Sequence, residues 1–344
     1  MRISRKQQRM IITSFLAVFF LLYLFLTTNL SKLPQTLSSA QISSIFLGLI
    51  LFLFSLIAKL YRWHILFPGE RSFFKQLPVY TSAYASATAF PFNTGDLIAM
   101  EIMTEWSDSE FGSSAAVVVF SRFIDLCCLL SLVGLSIYVL MPDQKLQIFF
   151  WAFLFLIFLG IAIIFSQNAM TTLNHLLIRI TSKISPSLSL KLEQVLVSQL
   201  NNYFGTLFSI WYEKKQAVMI LVLTLTKWFA EILATMVVVS AFETNFSLEN
   251  AIVLVSIDLF VGITTQTPTG LGTGTTAVIF VLEEYGMTRE LAVAVEIVRY
   301  VVSVGFTLIL GVLAALFLRF HPNNSYFNRG SNKDIENQLK PNKT

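Results

Sequence analysis

Long apolar runs separated by short polar breaks dominate the chain, and they predict membrane-crossing helices instead of the half-polar helices of a soluble core. One helical crossing needs about 17–25 apolar residues. Six segments meet that length: Met10–Thr28, Ile42–Tyr61, Ala115–Tyr138, Leu146–Phe165, Ala217–Phe242 and Leu291–Leu318. Two further apolar regions are too short or too broken to cross alone. Leu77–Phe90 meets Asp96–Trp106 across a break holding Pro91, Asn93, Thr94 and Gly95. Ala251–Thr265 meets Thr275–Leu282 across Pro268, Gly270, Gly272, Thr273 and Gly274. Both read as re-entrant hairpins, because irregular backbone at membrane depth survives only inside protein or beside a wet cavity. The expected fold class is an all-α polytopic membrane helix bundle.

Composition narrows this further. Of 344 residues, 55% are hydrophobic and 13% charged, and the mean hydropathy is +0.70. Soluble domains carry roughly 25% charged residues, so a soluble enzyme, a disordered chain and a nucleic-acid binder are excluded. The net charge of +4 follows from where the cations lie. Seventeen of 24 Lys and Arg fall at 1–10, 61–76, 167–216 and 319–344. These are the regions that face the cytoplasm if the N-terminus is inside and each hairpin returns to its own side. The expected location is the cell inner membrane, with multiple passes and both termini cytoplasmic. The run Met10–Leu26 after Arg2, Arg5, Lys6 and Arg9 lacks a small-residue cleavage site and exceeds an ordinary signal core, so it reads as an uncleaved first span.

One transmembrane domain over 1–321 is expected, followed by a disordered polar tail over 322–344. Within 167–216, Leu192, Val195, Leu196, Leu200 and Tyr203 share one helical face, which suggests an amphipathic segment on the cytoplasmic surface. Displacing the sequence by 177 residues superimposes the two broken regions. Pro91 meets Pro268, Gly95 meets Gly272, Arg122 meets Arg299 and Gly134 meets Gly311. With repeat one at about 42–141 and repeat two at about 217–318, the halves run in opposite senses. Inverted repeats with discontinuous helices are a transporter architecture.

Charges within the apolar segments are few: Arg122, Asp125, Lys227, Glu231, Asp258, Glu296 and Arg299. Each costs at least ~2.5 kcal/mol at membrane depth without a partner or a wet cavity. Helical spacing offers Arg122/Asp125, Glu296/Arg299 and Lys227/Glu231 as pairs, while Asp258 has no basic neighbour in sequence. Structural neutralisation and substrate binding both remain open for these pairs. Helix starts at Thr94–Asp96 and at Gly272–Thr275 could aim unsatisfied N–H groups at an anion, or the Pro and Gly could simply turn the hairpin tips. Asp96 could cap its own helix and oppose an anion. Arg62, Trp63 and His64 sit where a helix leaves the bilayer, as an aromatic and basic anchor or as a headgroup contact. No catalytic constellation emerges. The three His residues are scattered, and Cys127 and Cys128 are adjacent within an apolar run, so neither a metal nor a cofactor is expected.

Arg62-Trp63, then Pro91-x-x-x-Gly95-Asp96, then Ser121-Arg122-x-x-Asp125, and later Pro268-x-Gly270-Leu271-Gly272 with Arg299, resemble the motifs of the lysylphosphatidylglycerol synthase transmembrane-region family. The family patterns read approximately R-W, L-P-x-x-x-G-E, E-R-x-x-D and P-G-G-L-G followed by Y-R. The likeness runs from about Ile42 to Leu318. It departs at Asp96 and Thr275, which replace Glu, and at Ala99 and Met100, near which the family carries Arg. The resemblance implies a flippase-like domain that moves a charged or glycosylated lipid between leaflets. Bifunctional members add a cytosolic aminoacyl transferase; only a short tail follows Leu318 here, so lysyl-lipid synthesis is not expected.

The sequence thus favours a lipid flippase, with membrane lipids as partners and oligomerisation left open. Arg122, Arg299 and the two Gly-rich helix starts would hold a lipid phosphate near the midplane. The alternatives are a membrane-embedded transferase acting on polyprenyl-phosphate sugars, with Asp96, Glu101 or Asp258 as its carboxylate, and a non-catalytic assembly subunit.

Overall fold

The computed structural model describes residues 26–29, 31–67, 72–90, 94–107, 109–140, 202–206, 214–242, 245–265, 267 and 271–320, with isolated positions 151, 155 and 172. The regular elements running through these residues are helical: α1 (Leu33–Ser38), α2 (Ile42–Leu66), α3 (Phe73–Ala89), α4 (Thr94–Ser107), α5 (Phe111–Leu140), α6 (Lys214–Ser240), α7 (Leu248–Thr265), α8 (Thr273–Glu284), α9 (Arg289–Tyr300) and α10 (Phe306–Phe320). A π-helical turn, Val301–Gly305, joins α9 to α10. The chain is an all-α polytopic membrane bundle. Among the described residues, four helical stretches are long and apolar enough to cross a bilayer: Ile42–Leu66, Phe111–Gly134, Lys214–Ser240 and Arg289–Phe320. The expected spans Met10–Thr28 and Leu146–Phe165 lie almost entirely outside the described residues, as does most of the segment 167–216. The tail 322–344 and Pro91, Asn93, Pro268 and Gly270 also lie outside them.

Both broken regions form helical hairpins, α3–α4 and α7–α8, with boundaries close to those read from the Pro and Gly breaks. One expectation needs correction. Leu291–Leu318 is not a regular α-helix throughout, because the π turn inserts an extra residue directly after Arg299 and Tyr300. Such turns widen the backbone spiral and frequently occur at functional sites.

Helix α2 packs most extensively against α6, and the two run antiparallel. The Gln41 N–H at the start of α2 donates to the Ala241 carbonyl just past α6, at 2.8 Å. Gly48 faces Val238 and Ala234, and Arg62 near the end of α2 reaches Thr224 near the start of α6. A Cβ at Gly48 would overlap Val238. Small residues let membrane helices approach this closely, since burial from lipid gives no hydrophobic drive and packing must supply the attraction. Gly311 plays the same part where α10 crosses Ala85 of α3.

The remaining contacts repeat between the halves. Helix α3 packs on α4 and α10, as α7 packs on α8 and α5; α4 packs on α5 as α8 packs on α9. One apolar core gathers around Trp63, Tyr80 and Met103 in the first half, and another around Leu254, Leu282 and Val295 in the second. A small third cluster, Phe52, Ala234, Val238 and Val302, lies where α2, α6 and the π turn meet. The outward faces carry Ile50, Phe54 and Ile57 on α2, and Ile309, Leu313 and Phe317 on α10. In water such faces would be an aggregation hazard; against acyl chains they are the expected surface.

Candidate functional site

Charged side chains converge in the middle of the bundle. Counted at about 1.5 Å per residue, Arg122 and Arg299 each lie roughly 15 Å from the first residue of their spans, Phe111–Gly134 and Arg289–Phe320.

The two arginines are held differently. Arg122 on α5 reaches α4, where its Nε donates to both oxygens of Asp96 at 3.2 Å and its Nη2 donates to Oδ1 at 2.8 Å. Its side chain stays 48% exposed. Asp96 sits in the first turn of α4, so it both favours the helix start and occupies the guanidinium. Arg299 on α9 donates from Nε to Glu296 Oε2 at 2.6 Å and from Nη2 to Glu296 Oε1 at 2.9 Å. The same Nη2 lies 2.9 Å from Asp258 Oδ2 on α7. The Arg299 side chain is 12% exposed.

A third cluster joins α2, α5 and α6. Arg62 is fully buried and forks onto Asp125 at 3.0 and 2.9 Å. It also donates to Thr224 Oγ1 and Ser121 Oγ, each at 3.0 Å. Trp63 Nε1 donates to Ser121 Oγ at 2.8 Å. Lys59 Nζ stands 3.4 Å from Asp125 Oδ2 and 4.3 Å from the centre of the Tyr84 ring. Lys227 pairs with Glu231 at 2.8 Å, one turn along α6.

Two readings from spacing are corrected here. Arg122 and Asp125 share a helix face but not a bond: Asp125 accepts the fork of Arg62, and Arg122 takes Asp96. Bidentate pairing between facing helices satisfies two guanidinium nitrogens at once, and this is the geometry that Asp125 finds with Arg62. The surface-anchor reading of Arg62-Trp63-His64 is also corrected for its first two residues, since both are buried in the bundle. His64 alone is half-buried, stacked on Tyr61 with its Nδ1 3.5 Å from the Tyr80 hydroxyl. Spacing held for Glu296/Arg299 and Lys227/Glu231, and Asp258 finds its cation across helices. Lys59, Ser121, Tyr84 and Thr224 were not singled out individually from the sequence; a Ser or Thr on an apolar helix gives no sign of what faces it.

The Gly-rich starts have local work in the fold. A Cβ at Gly95 would collide with the Ser86 carbonyl and the backbone of Ala87, so this glycine lets α4 turn tightly off α3. Gly272 adopts φ 91°, a conformation that favours glycine, and its N–H donates to Thr275 Oγ1 at 3.1 Å. A Cβ at Gly274 would come 3.1 Å from Asp258 Oδ1. Thr273, which the 177-residue offset matches to Asp96, shares hydroxyl hydrogen bonds with Thr265 at 2.6 Å and Thr267 at 3.0 Å. Thr94 begins α4.

Between the halves lies a cavity of about 160 Å³. Glu231, Asp258 and Arg299 supply its charged wall, Tyr84 and Thr88 enter from α3, and Phe52 and Val238 close its apolar side. Both halves therefore contribute side chains to one largely apolar chamber with a charged wall.

Comparison with curated proteins gives no match. The description of the matching family is "Lysylphosphatidylglycerol synthase TM region", and its profile covers residues 10–311. With that coverage and the membrane helices above, the chain is an integral membrane protein that belongs to the lysylphosphatidylglycerol synthase transmembrane-region family.

Proposed function

We propose that the protein moves an anionic or glycosylated lipid between leaflets, its polar head passing through the bundle while the acyl or polyprenyl chains stay in lipid. The observation that carries this reading is Arg122: a mid-span guanidinium matched by one carboxylate and still half exposed. A cation at this depth is costly unless protein or water surrounds it, and a headgroup pathway supplies such surroundings. A phosphate would compete with Asp96 for the guanidinium, so Asp96 acts as an exchangeable counter-ion in the empty state. Arg299 is the poorer phosphate ligand of the two, since two carboxylates already occupy it.

The antiparallel α2/α6 pair and the mirrored contacts of the hairpins support an inverted-repeat arrangement, in which rocking of one half against the other would expose the head to either side. The membrane orientation proposed from the Lys and Arg distribution keeps both termini cytoplasmic.

The test is leaflet exchange of a labelled anionic phospholipid in vesicles containing purified protein. Wild-type protein should equilibrate the label. Arg122→Ala should insert and fold but leave the label on its starting side. Unimpaired exchange by Arg122→Ala would dispose of this mechanism. Product formation from a labelled polyprenyl-phosphate sugar, without leaflet exchange, would replace the reading with a transferase.

A further inference from the structure

The cavity wall carries more negative than positive charge. Arg299 contributes one positive charge and is claimed by both Glu296 and Asp258. Lys227, the other cation on this side of the cavity, is already paired with Glu231. Nη2 of Arg299 lies 2.9 Å from Asp258 Oδ2 and 2.9 Å from Glu296 Oε1, so these two carboxylate oxygens converge on a single nitrogen. Glu296 is almost fully buried at 3% exposure, while Asp258 borders the cavity at 28%.

Three of the hydroxyls on the wall do not relieve this surplus. Ser303 donates to the Arg299 carbonyl at 2.8 Å, Thr307 to the Ser303 carbonyl at 2.8 Å, and Thr88 to the Tyr84 carbonyl at 2.9 Å. Each has committed its proton to backbone. Among the described residues, the other elements packed around the group add no free cation there. Helix α3 presents neutral Tyr84, α5 contributes Cys128 to the adjoining apolar cluster, α1 carries no ionisable side chain, and Arg289 of α9 pairs with Glu283 of α8 at 3.3 Å. An uncompensated carboxylate in a low-dielectric setting is strongly disfavoured, and two carboxylates converging on one site do not both ionise readily.

We propose that Asp258 and Glu296 hold one exchangeable proton between them, taken up from and released to the cavity that Asp258 borders. Uptake converts one carboxylate to a carboxylic acid and brings the three-residue cluster from a charge of −1 to neutrality. The proton belongs to the pair as a unit, with the guanidinium fixing both acids and the cavity beside Asp258 offering room for several waters. Position follows from the fold: Glu296 and Arg299 are three residues apart on α9, the π turn begins two residues after Arg299, and Gly274 leaves the space in which Asp258 sits. Repeat one has no counterpart, because Arg122 meets a single carboxylate. Use of this proton to drive lipid movement would rest on the transport reading above; the site itself does not.

Infrared difference spectroscopy of the full chain in lipid nanodiscs, stepped between acidic and alkaline pH, tests the site without any transport assay. The expected result is a protonated-carboxyl carbonyl band that persists at neutral pH, shifts in heavy water, and is lost or moved in both Asp258→Asn and Glu296→Gln. Absence of such a band in the wild-type protein would overturn the proposal, as would a band unchanged in both variants. A signal that answers to sodium and not to pH would also overturn it, assigning the site to a metal cation. Should one variant fail to fold, the other and the wild-type heavy-water shift still decide. A protein with the band that moves no lipid would refute the transport reading and leave this site standing.

Discussion

Arg122 and Arg299 stand 177 residues apart, each within a membrane-length helix, yet their surroundings differ. Arg122 faces one acid on a neighbouring hairpin helix and keeps half its side chain exposed. Arg299 is clasped by an acid of its own helix and another from α7, and is nearly buried. At the position matching Asp96 the second half has Thr273, whose hydroxyl is engaged by other threonines. The counter-charges therefore leave one guanidinium half exposed and enclose the other in an acid-rich centre.

Removing the cation should separate the two most sharply. Arg299→Ala strands two carboxylates in the bundle and should cost about 3–5 kcal/mol, read as a large drop in the thermal midpoint of the detergent-solubilised protein. Arg122→Ala leaves one carboxylate, Asp96, without its partner instead of two, and should cost less than Arg299→Ala while still abolishing leaflet exchange. Equal destabilisation by the two would erase the distinction.

The hairpin turns provide a second contrast. Gly95→Ala meets backbone atoms that cannot step aside and should destabilise by roughly 1–3 kcal/mol, in the range of overpacking. Gly274→Ala presses only on the Asp258 carboxylate, a side-chain end, and should cost less while altering the Asp258–Arg299 contact. Denaturation curves for the pair, with the infrared band of the second, would check both halves of this expectation.

Exchanging counter-charges sharpens the comparison further. Asp96→Thr, which copies the second half into the first, should leave the protein folded and strengthen binding of an anionic lipid several-fold in a vesicle-binding titration. Unchanged or weaker binding would mean that Asp96 does not compete with the lipid. Smallest of all, Thr224→Val deletes one of several partners of Arg62 and should lower stability by about 1 kcal/mol, without affecting the distinction between the two arginines.

Much was legible from the chain alone. Run length marked four helices long and apolar enough to cross, because a bilayer demands a fixed span of apolar residues. Pro and Gly marked where the two hairpins turn, and the pairs Lys227/Glu231 and Glu296/Arg299 followed from helical spacing. Membership in the family was visible in the order of short motifs around Arg62, Gly95, Arg122 and Gly272. These features depend only on neighbours within a turn or two.

The fates of Asp96, Asp125 and Asp258 could not be read in this way. Asp125 lies three residues from Arg122, yet bonds to Arg62 from another helix; Asp258 has no cation nearby in sequence, yet bonds to Arg299. Which helix lies opposite is decided by the close approach at Gly48, Gly95 and Gly311 and by the packing of the hairpins. The intramembrane charges then pair with whatever those contacts bring close, since an unpartnered charge at that depth is costly.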